Sequence, residues 1–188
     1  MCHAALLFSA ALLSTTAQAA TETYEIDLKH AVVYWEVKHF STSTTRGRFM
    51  TKGGSIELDK ETRKGKVDVT IDMSSLSTGV APFDSKLKSS EFFDTQAYPE
   101  GRFTGSRMRW ENNELVELRG DLTLRDKTLP VTLKASHFVC LQREDVQREV
   151  CGGDFEATIS RGQYGMGYLW PFISDKVRLL IQIEAVKQ

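Results

Sequence analysis

The chain has no surplus of positive charge: 24 Lys and Arg stand against 25 Asp and Glu, a formal net charge of −1. Without a basic excess there is no electrostatic footprint for nucleic acid. The local run Lys60-Glu61-Thr62-Arg63-Lys64-Gly65-Lys66 mixes signs around a glycine and reads as a solvated hairpin turn. No apolar run approaches the roughly twenty residues a membrane-spanning helix needs. Long stretches of helical periodicity, internal repeats, linkers and low-complexity tracts are all missing. So are a glycine-flanked serine elbow and a histidine pair at metal-binding helical spacing, which removes the usual marks of a hydrolase or a zinc enzyme.

What is present starts with a short apolar run over residues 4–13, followed by Ala17-Gln18-Ala19, small residues where a signal peptidase cuts. This predicts a signal peptide over residues 1–19 and a mature single domain over 20–188, exported to the periplasm. Met1-Cys2-His3 departs from the pattern by lacking a leading Lys or Arg. Cys2 precedes the apolar run, so it is no lipid-anchor cysteine and leaves with the leader. Cys140 and Cys151 remain, an even count that reads as a disulfide in an exported chain. The polar residues between them predict a hairpin stapled near its turn. A redox CxxC role needs closer spacing, and a zinc site from His137, Cys140 and Cys151 lacks a fourth ligand.

The mature region consists of short segments in which apolar residues recur every second position. Strands are predicted at about 23–28, 32–39, 47–58, 66–73, 102–110, 115–125, 131–140, 151–160 and 176–186, the first an edge piece running into the second. Gly53-Gly54 predicts a bulge, and Asn112-Asn113 and Asp126-Lys127 predict tight turns in an up-and-down order. Two aromatic-rich connections, 74–99 and 162–173, interrupt this regularity. In the first, Leu87, Glu91, Phe92 and Phe93 are placed along a short helix that Pro82 opens.

Several motifs occur in a fixed order: Tyr24-x-x-Asp27-x-x-His30, Val37-Lys38-His39, Gly47-Arg48-Phe49, Ser77-Thr78-Gly79, Asp84-x-x-Leu87-Lys88-Ser89 and Phe92-Phe93-Asp94. They continue through Tyr98-Pro99-x-x-x-Phe103, Gly120-Asp121-Leu122-Thr123-Leu124-Arg125, Pro130-Val131-Thr132-Leu133, Arg161-x-x-Tyr164-Gly165-Met166, Asp175-x-Val177 and Glu184-Ala185. Together they resemble the YceI-like family of exported proteins associated with polyisoprenoid binding. Arg148-Glu149-Val150-Cys151-Gly152 fits the cysteine hairpin of its exported members. The resemblance implies an all-β fold: an eight-stranded antiparallel, extended lipocalin-like barrel with a short helical segment in a long connection. It also implies an apolar tunnel for an isoprenoid quinone or polyprenyl precursor. Ala31, where the family prefers Ser, Phe83, where many members have Arg, and the aromatic segment 168–173 depart from the pattern.

A prenyl chain offers no charge to recognise, so its site must be lined by apolar side chains. Strand parity predicts a wall of Val33, Trp35, Val37, Phe49, Val69, Ile71, Met73 and Phe103, continued by Leu122, Leu124, Val131, Leu133, Phe155, Leu179 and Ile181. Leu87, Phe92 and Phe93 are predicted at a lid or tunnel end. Each has an alternative role in ordinary core packing. Trp170 and Phe172 are expected to fold back on the barrel, with a rim that touches a membrane or delivery partner as the alternative. Arg161 and Asp175 are expected to anchor the last connection, with Arg161 alternatively meeting a ligand's head group.

The expected protein is therefore a non-catalytic lipid carrier with no catalytic residue, metal or cofactor apart from its lipid. Expected partners are an isoprenoid or other long-chain lipid and, transiently, a membrane or membrane redox protein; the carrier is a monomer or homodimer. One alternative is an accessory module of a membrane redox or stress-response system with a filled interior. The other is a small hydrolase or isomerase using His30 or His39 with Asp27 or Asp84.

Overall fold

Alternating Val, Trp and Ile side chains pair into strands because each strand buries one face against its neighbours and leaves the other to water. A computed structural model describes residues 20–188, so the leader predicted over 1–19 lies outside the described residues. The strands are β1 (Glu22–Ile26), β2 (Val32–His39), β3 (Ser43–Asp59), β4 (Lys64–Ser77), β5 (Glu100–Glu111), β6 (Glu114–Leu124), β7 (Lys127–Arg143), β8 (Arg148–Ser160) and β9 (Ile173–Lys187). Every pairing is antiparallel, and the sheet closes on itself through β3–β4 and the pairing of β9 with β1 and β2. β1 and β2 lie in tandem between β3 and β9, so nine strands make a ring of eight positions. The first segment is thus an interrupted continuation of the second. The break is held by Asp27, whose carboxylate accepts from the Lys29 amide at 2.9 Å.

The strands run further than apolar alternation marks. β3 begins at Ser43, β4 reaches Ser77, and β7 spans residues 127–143, because outward polar residues extend the ladders without apolar periodicity. The first aromatic connection shrinks accordingly to residues 78–99. Its helix, α1 (Ala81–Lys88), has proline in its first turn and buries Leu87, as expected. Glu91, Phe92 and Phe93 lie beyond that helix, contrary to expectation. Ser89 is extended, and the Phe93 amide donates to the Leu87 carbonyl at 3.0 Å in a following turn.

The bulge beside Gly53-Gly54 is present as a register shift between Thr51 and Gly53. Gly54 has φ +145°, and a Cβ there would stand 2.2 Å from the Asp68 carbonyl oxygen, so the strands approach only because it has none. Asn112 and Asn113 both take positive φ, the geometry of a tight hairpin. The next turn falls on Arg125-Asp126, one residue before the expected position, with Leu124 opposite Lys127. Arg125 takes φ 56° there, and its side chain is held at the far end: Nη1 donates to the Gly165 carbonyl at 2.8 Å, and the guanidinium lies 5.5 Å from the Tyr98 ring centre.

Cys140 and Cys151 are register partners and form a disulfide, with Cα atoms 4.0 Å apart. The strands continue past them to Arg143 and Arg148, so the staple sits inside the ladder, further from the turn than expected. It faces inward, with Cys151 fully buried.

Candidate functional site

The turns sort the barrel into two ends. The β3–β4, β5–β6 and β7–β8 hairpins gather at one, called the floor. The α1 connection, the β6–β7 turn and the connection between β8 and β9 gather at the other, called the mouth. Between them lie two apolar cavities of about 90 Å³ and 80 Å³. They share Val33, Ile71, Leu122 and Leu179 as a common waist.

Every predicted wall residue faces one cavity or both. Trp35, Val37, Phe49, Met73, Leu87, Phe92, Phe93 and Leu124 line the upper cavity, on the mouth side. Val69, Phe103, Val131, Leu133, Phe155 and Ile181 line the lower. Parity also places Ile56, Val67, Ile159, Val177 and Ile183 on these walls, and they were not among the predicted residues. Met108, Leu115 and Phe138 were hidden for a different reason. Each lies beyond a register shift, at Gly105/Arg107, Arg109/Trp110 or Ala135/His137, where an extra residue reverses which side chains point inward. Leu118 and Thr51 complete the lower wall, and Phe83, Met166 and Ile173 the upper.

The polar groups of the upper cavity are few. Trp35 lies across Gly47: a Cβ there would be 2.3 Å from the indole ring, so glycine is required for the indole to lie flat. The indole Nε1 is buried without a hydrogen-bond partner, as is the Tyr164 hydroxyl among the described residues. Burial pushes the Tyr164 phenol up to about 12, which keeps it neutral. His39 and Thr45 lie on the same wall, on β2 and β3.

Arg161 is only 5% exposed. Its Nε donates to the Ser174 carbonyl at 2.9 Å, Nη1 to Tyr168 at 2.9 Å and also to Met166, and Nη2 to Ile173 at 3.0 Å. Asp175 accepts from the Gly162 amide at 2.8 Å. Both residues hold the last connection in shape, as expected. Burial pulls Arg161 below the usual guanidinium range, and the four carbonyls compensate the charge within the fold.

Trp170 and Phe172 overturn the expectation that they fold back: they are 68% and 59% exposed. The segment's backbone is committed elsewhere, with the Ile173 amide donating to Leu169 at 3.0 Å and the Phe40 amide to Phe172 at 2.8 Å. Only Ile173 turns inward to the core.

The histidines do not form a common centre. His30 Nδ1 lies 2.8 Å from Asp27 Oδ2, a contact that raises the His30 pKa, but neither residue lines a cavity. His39 is in the upper cavity, while Asp84 is occupied by the Thr78 amide and hydroxyl at 2.6 and 2.5 Å. Asp27, His30 and Glu184 bring possible metal-ligand atoms within 4.8 Å of one another. Arg143 pairs with the Glu184 carboxylate at 2.9 Å, and the group reads as an exposed ion-pair cluster. The Cys140–Cys151 bond removes both sulfurs from any zinc site with His137.

The fold and cavities define a closed antiparallel barrel with a two-chambered apolar interior. The YceI-like domain matches residues 24–185, and the chain belongs to that family. Protein YceI of Salmonella newport is 33% identical over 183 residues, covering 95% of this chain and 94% of that protein. The fold is similar to the crystal structure of Burkholderia cenocepacia BcnA, with TM-score 0.65, 19% identity and coverage of 85% of this chain and 99% of that one. It is also similar to a polyisoprenoid binding domain from Saccharophagus degradans implicated in plant cell wall breakdown, with TM-score 0.61, 14% identity and coverage of 88% and 98%.

Proposed function

We propose that the protein is an exported, periplasmic carrier that holds an isoprenoid lipid in the barrel and performs no chemistry on it. The observation that carries this reading is the pair of adjoining apolar cavities. Shielding one five-carbon unit from water contributes about 4 kcal/mol gross, at roughly 0.8 kcal/mol per methylene, so each unit the two chambers cover adds to retention without any charged contact. A bilayer shields the same tail equally well. Loading and delivery are thus close to an exchange between equals, with direction set by concentration.

The polar groups favour a neutral head. Four of the five Arg161 N–H donors are engaged by backbone carbonyls, which leaves no pair of donors for the bidentate grip of a phosphate. The unpartnered Trp35 N–H, with His39 and Thr45 on the same wall, suits a carbonyl or hydroxyl oxygen. A prenyl quinone fits this better than a polyprenyl phosphate. The test is organic extraction and mass spectrometry of the protein purified from its native compartment. A co-purifying neutral prenyl lipid is expected. An extract free of lipid, together with no uptake of added prenyl quinone, would overturn the carrier reading in favour of a structural accessory module.

A further inference from the structure

A prenyl lipid leaving a bilayer through water exposes its whole tail at the cost that makes the carrier necessary, so exchange requires the mouth to touch the membrane. Phe40, Tyr168, Leu169, Trp170 and Phe172 are all exposed at that end of the barrel. They form a continuous rim. Phe40 stacks on Phe172 with ring centres 5.6 Å apart, and Tyr168 meets the cavity residue Phe92 edge-on at 5.5 Å. The rim is also continuous with the upper cavity through His39 and Ile173, each adjacent in sequence to a rim aromatic.

The surrounding charges match a phospholipid surface. Lys86 lies 5.0 Å from the Tyr168 ring centre, its charge paired with Glu91, so the unpaired positive charge of this end comes from β2 and β9. Exposed Lys38 and Lys176 stand on the adjacent strands β2 and β9, and among the described residues their ammonium groups hydrogen-bond only hydroxyls, of Thr44 at 3.0 Å and Ser160 at 2.7 Å. The carboxylates at this end are engaged: Asp84 by Thr78, Glu91 by Lys86, Asp94 by Arg125, Asp126 by Lys127 and Asp175 by the Gly162 amide. Aromatic rings bordered by lysines are the composition of a bilayer's interfacial zone. We infer that the rim formed by Phe40 and residues 168–172 is a membrane-docking surface that seats the barrel mouth on a phospholipid bilayer. The inference rests on the carrier reading and adds the surface through which cargo passes.

The experiment floats the wild type and a Trp170→Glu/Phe172→Glu variant with protein-free vesicles. One set is phosphatidylcholine alone and the other is doped with phosphatidylglycerol. Equilibrium dialysis against a short-chain prenyl quinone measures cargo uptake separately. The wild type is expected to float, more so with phosphatidylglycerol, and the variant to lose roughly tenfold in vesicle partitioning while taking up quinone normally. A wild type that takes up quinone but ignores both vesicle types overturns the docking surface and leaves the carrier. One that floats but takes up no quinone overturns the carrier and leaves the bilayer contact. One that does neither overturns both. A variant that floats as well as the wild type shows that the rim is not the contact.

Discussion

The two ends of the barrel are closed by different forces. At the floor, the Tyr24 hydroxyl lies 2.7 Å from Glu22 and 2.5 Å from Glu149, its one proton shared between the two carboxylates, Lys60 bridges the same pair at 2.9 and 2.8 Å, and Lys187 also pairs with Glu22. The disulfide locks β7 to β8 nearby. At the mouth, two long connections join the one tight β6–β7 turn, the buried cation Arg161 hydrogen-bonds backbone carbonyls, and bulky aromatics point outward. Side-chain ion pairs and a covalent bond fix the β3–β4 and β7–β8 hairpins, β1 and the last residues of β9 in one arrangement. Backbone carbonyls around a guanidinium hold a loop while leaving its aromatic side chains free for a surface.

Five perturbations separate the ends, taken from the largest effect. Leu133→Arg forces an unpaired charge into the lower cavity, and denaturant titration should show a loss of about 4–5 kcal/mol together with loss of long-chain lipid retention. Unchanged uptake would mean that the lower cavity holds no cargo. Arg161→Met strands four carbonyls, with an expected cost of about 4 kcal/mol. Hydrogen exchange should speed up over 162–173 and stay unchanged in the β7–β8 hairpin; equal acceleration at both ends would erase the contrast. Replacing Cys140 and Cys151 together with alanine should cost about 3 kcal/mol in the loop-entropy picture, lowering Tm without altering ligand preference. A changed preference would make the floor part of the binding site.

Acid acts on the floor. Hydrogen bonds from Lys187, then Lys60 and Tyr24, hold Glu22 at about 2 against a usual 4.5. A lowered carboxylate pKa stabilises fully above the unfolded value, and that stabilisation is lost as pH falls from about 4.5 towards about 2. Glu117, held at about 2 by Arg109 and Arg119, adds in the same direction. Thermal melts of wild type and Glu22→Gln should differ at neutral pH and converge in acid; parallel curves would remove the network from the account. The smallest effect is at the rim, where Trp170→Ser should change stability by less than about 0.5 kcal/mol because the side chain is largely solvated. A larger loss would show that the rim is part of the fold.

Much of the wall was legible because β2, β4 and β9 keep one parity over long stretches: Val33, Trp35 and Val37, then Val69, Ile71 and Met73, all face inward as alternation predicts. Met108, Leu115 and Phe138 were not, since a single inserted residue inverts the inner face and leaves no mark in local composition. The cysteine pair was readable from its even count and the expectation of export, but its place within the ladder depended on strand lengths set by polar residues. The exposure of Trp170 and Phe172 was misread for a related reason: aromatic composition favours burial, and nothing local says that the Ile173 amide bonds Leu169 and the Phe40 amide bonds Phe172, a backbone course that leaves the rings in solvent.

The order of alternating segments, turns and motifs determined by itself that this chain forms an antiparallel barrel of the YceI-like family, because side-chain period and turn chemistry are local properties. Only the tertiary structure decided that the interior is two chambers joined at Val33, Ile71, Leu122 and Leu179, and that the mouth presents its aromatics to solvent. Enclosed space is what remains after strands distant in sequence have closed on one another, and bulges and long-range hydrogen bonds set its shape.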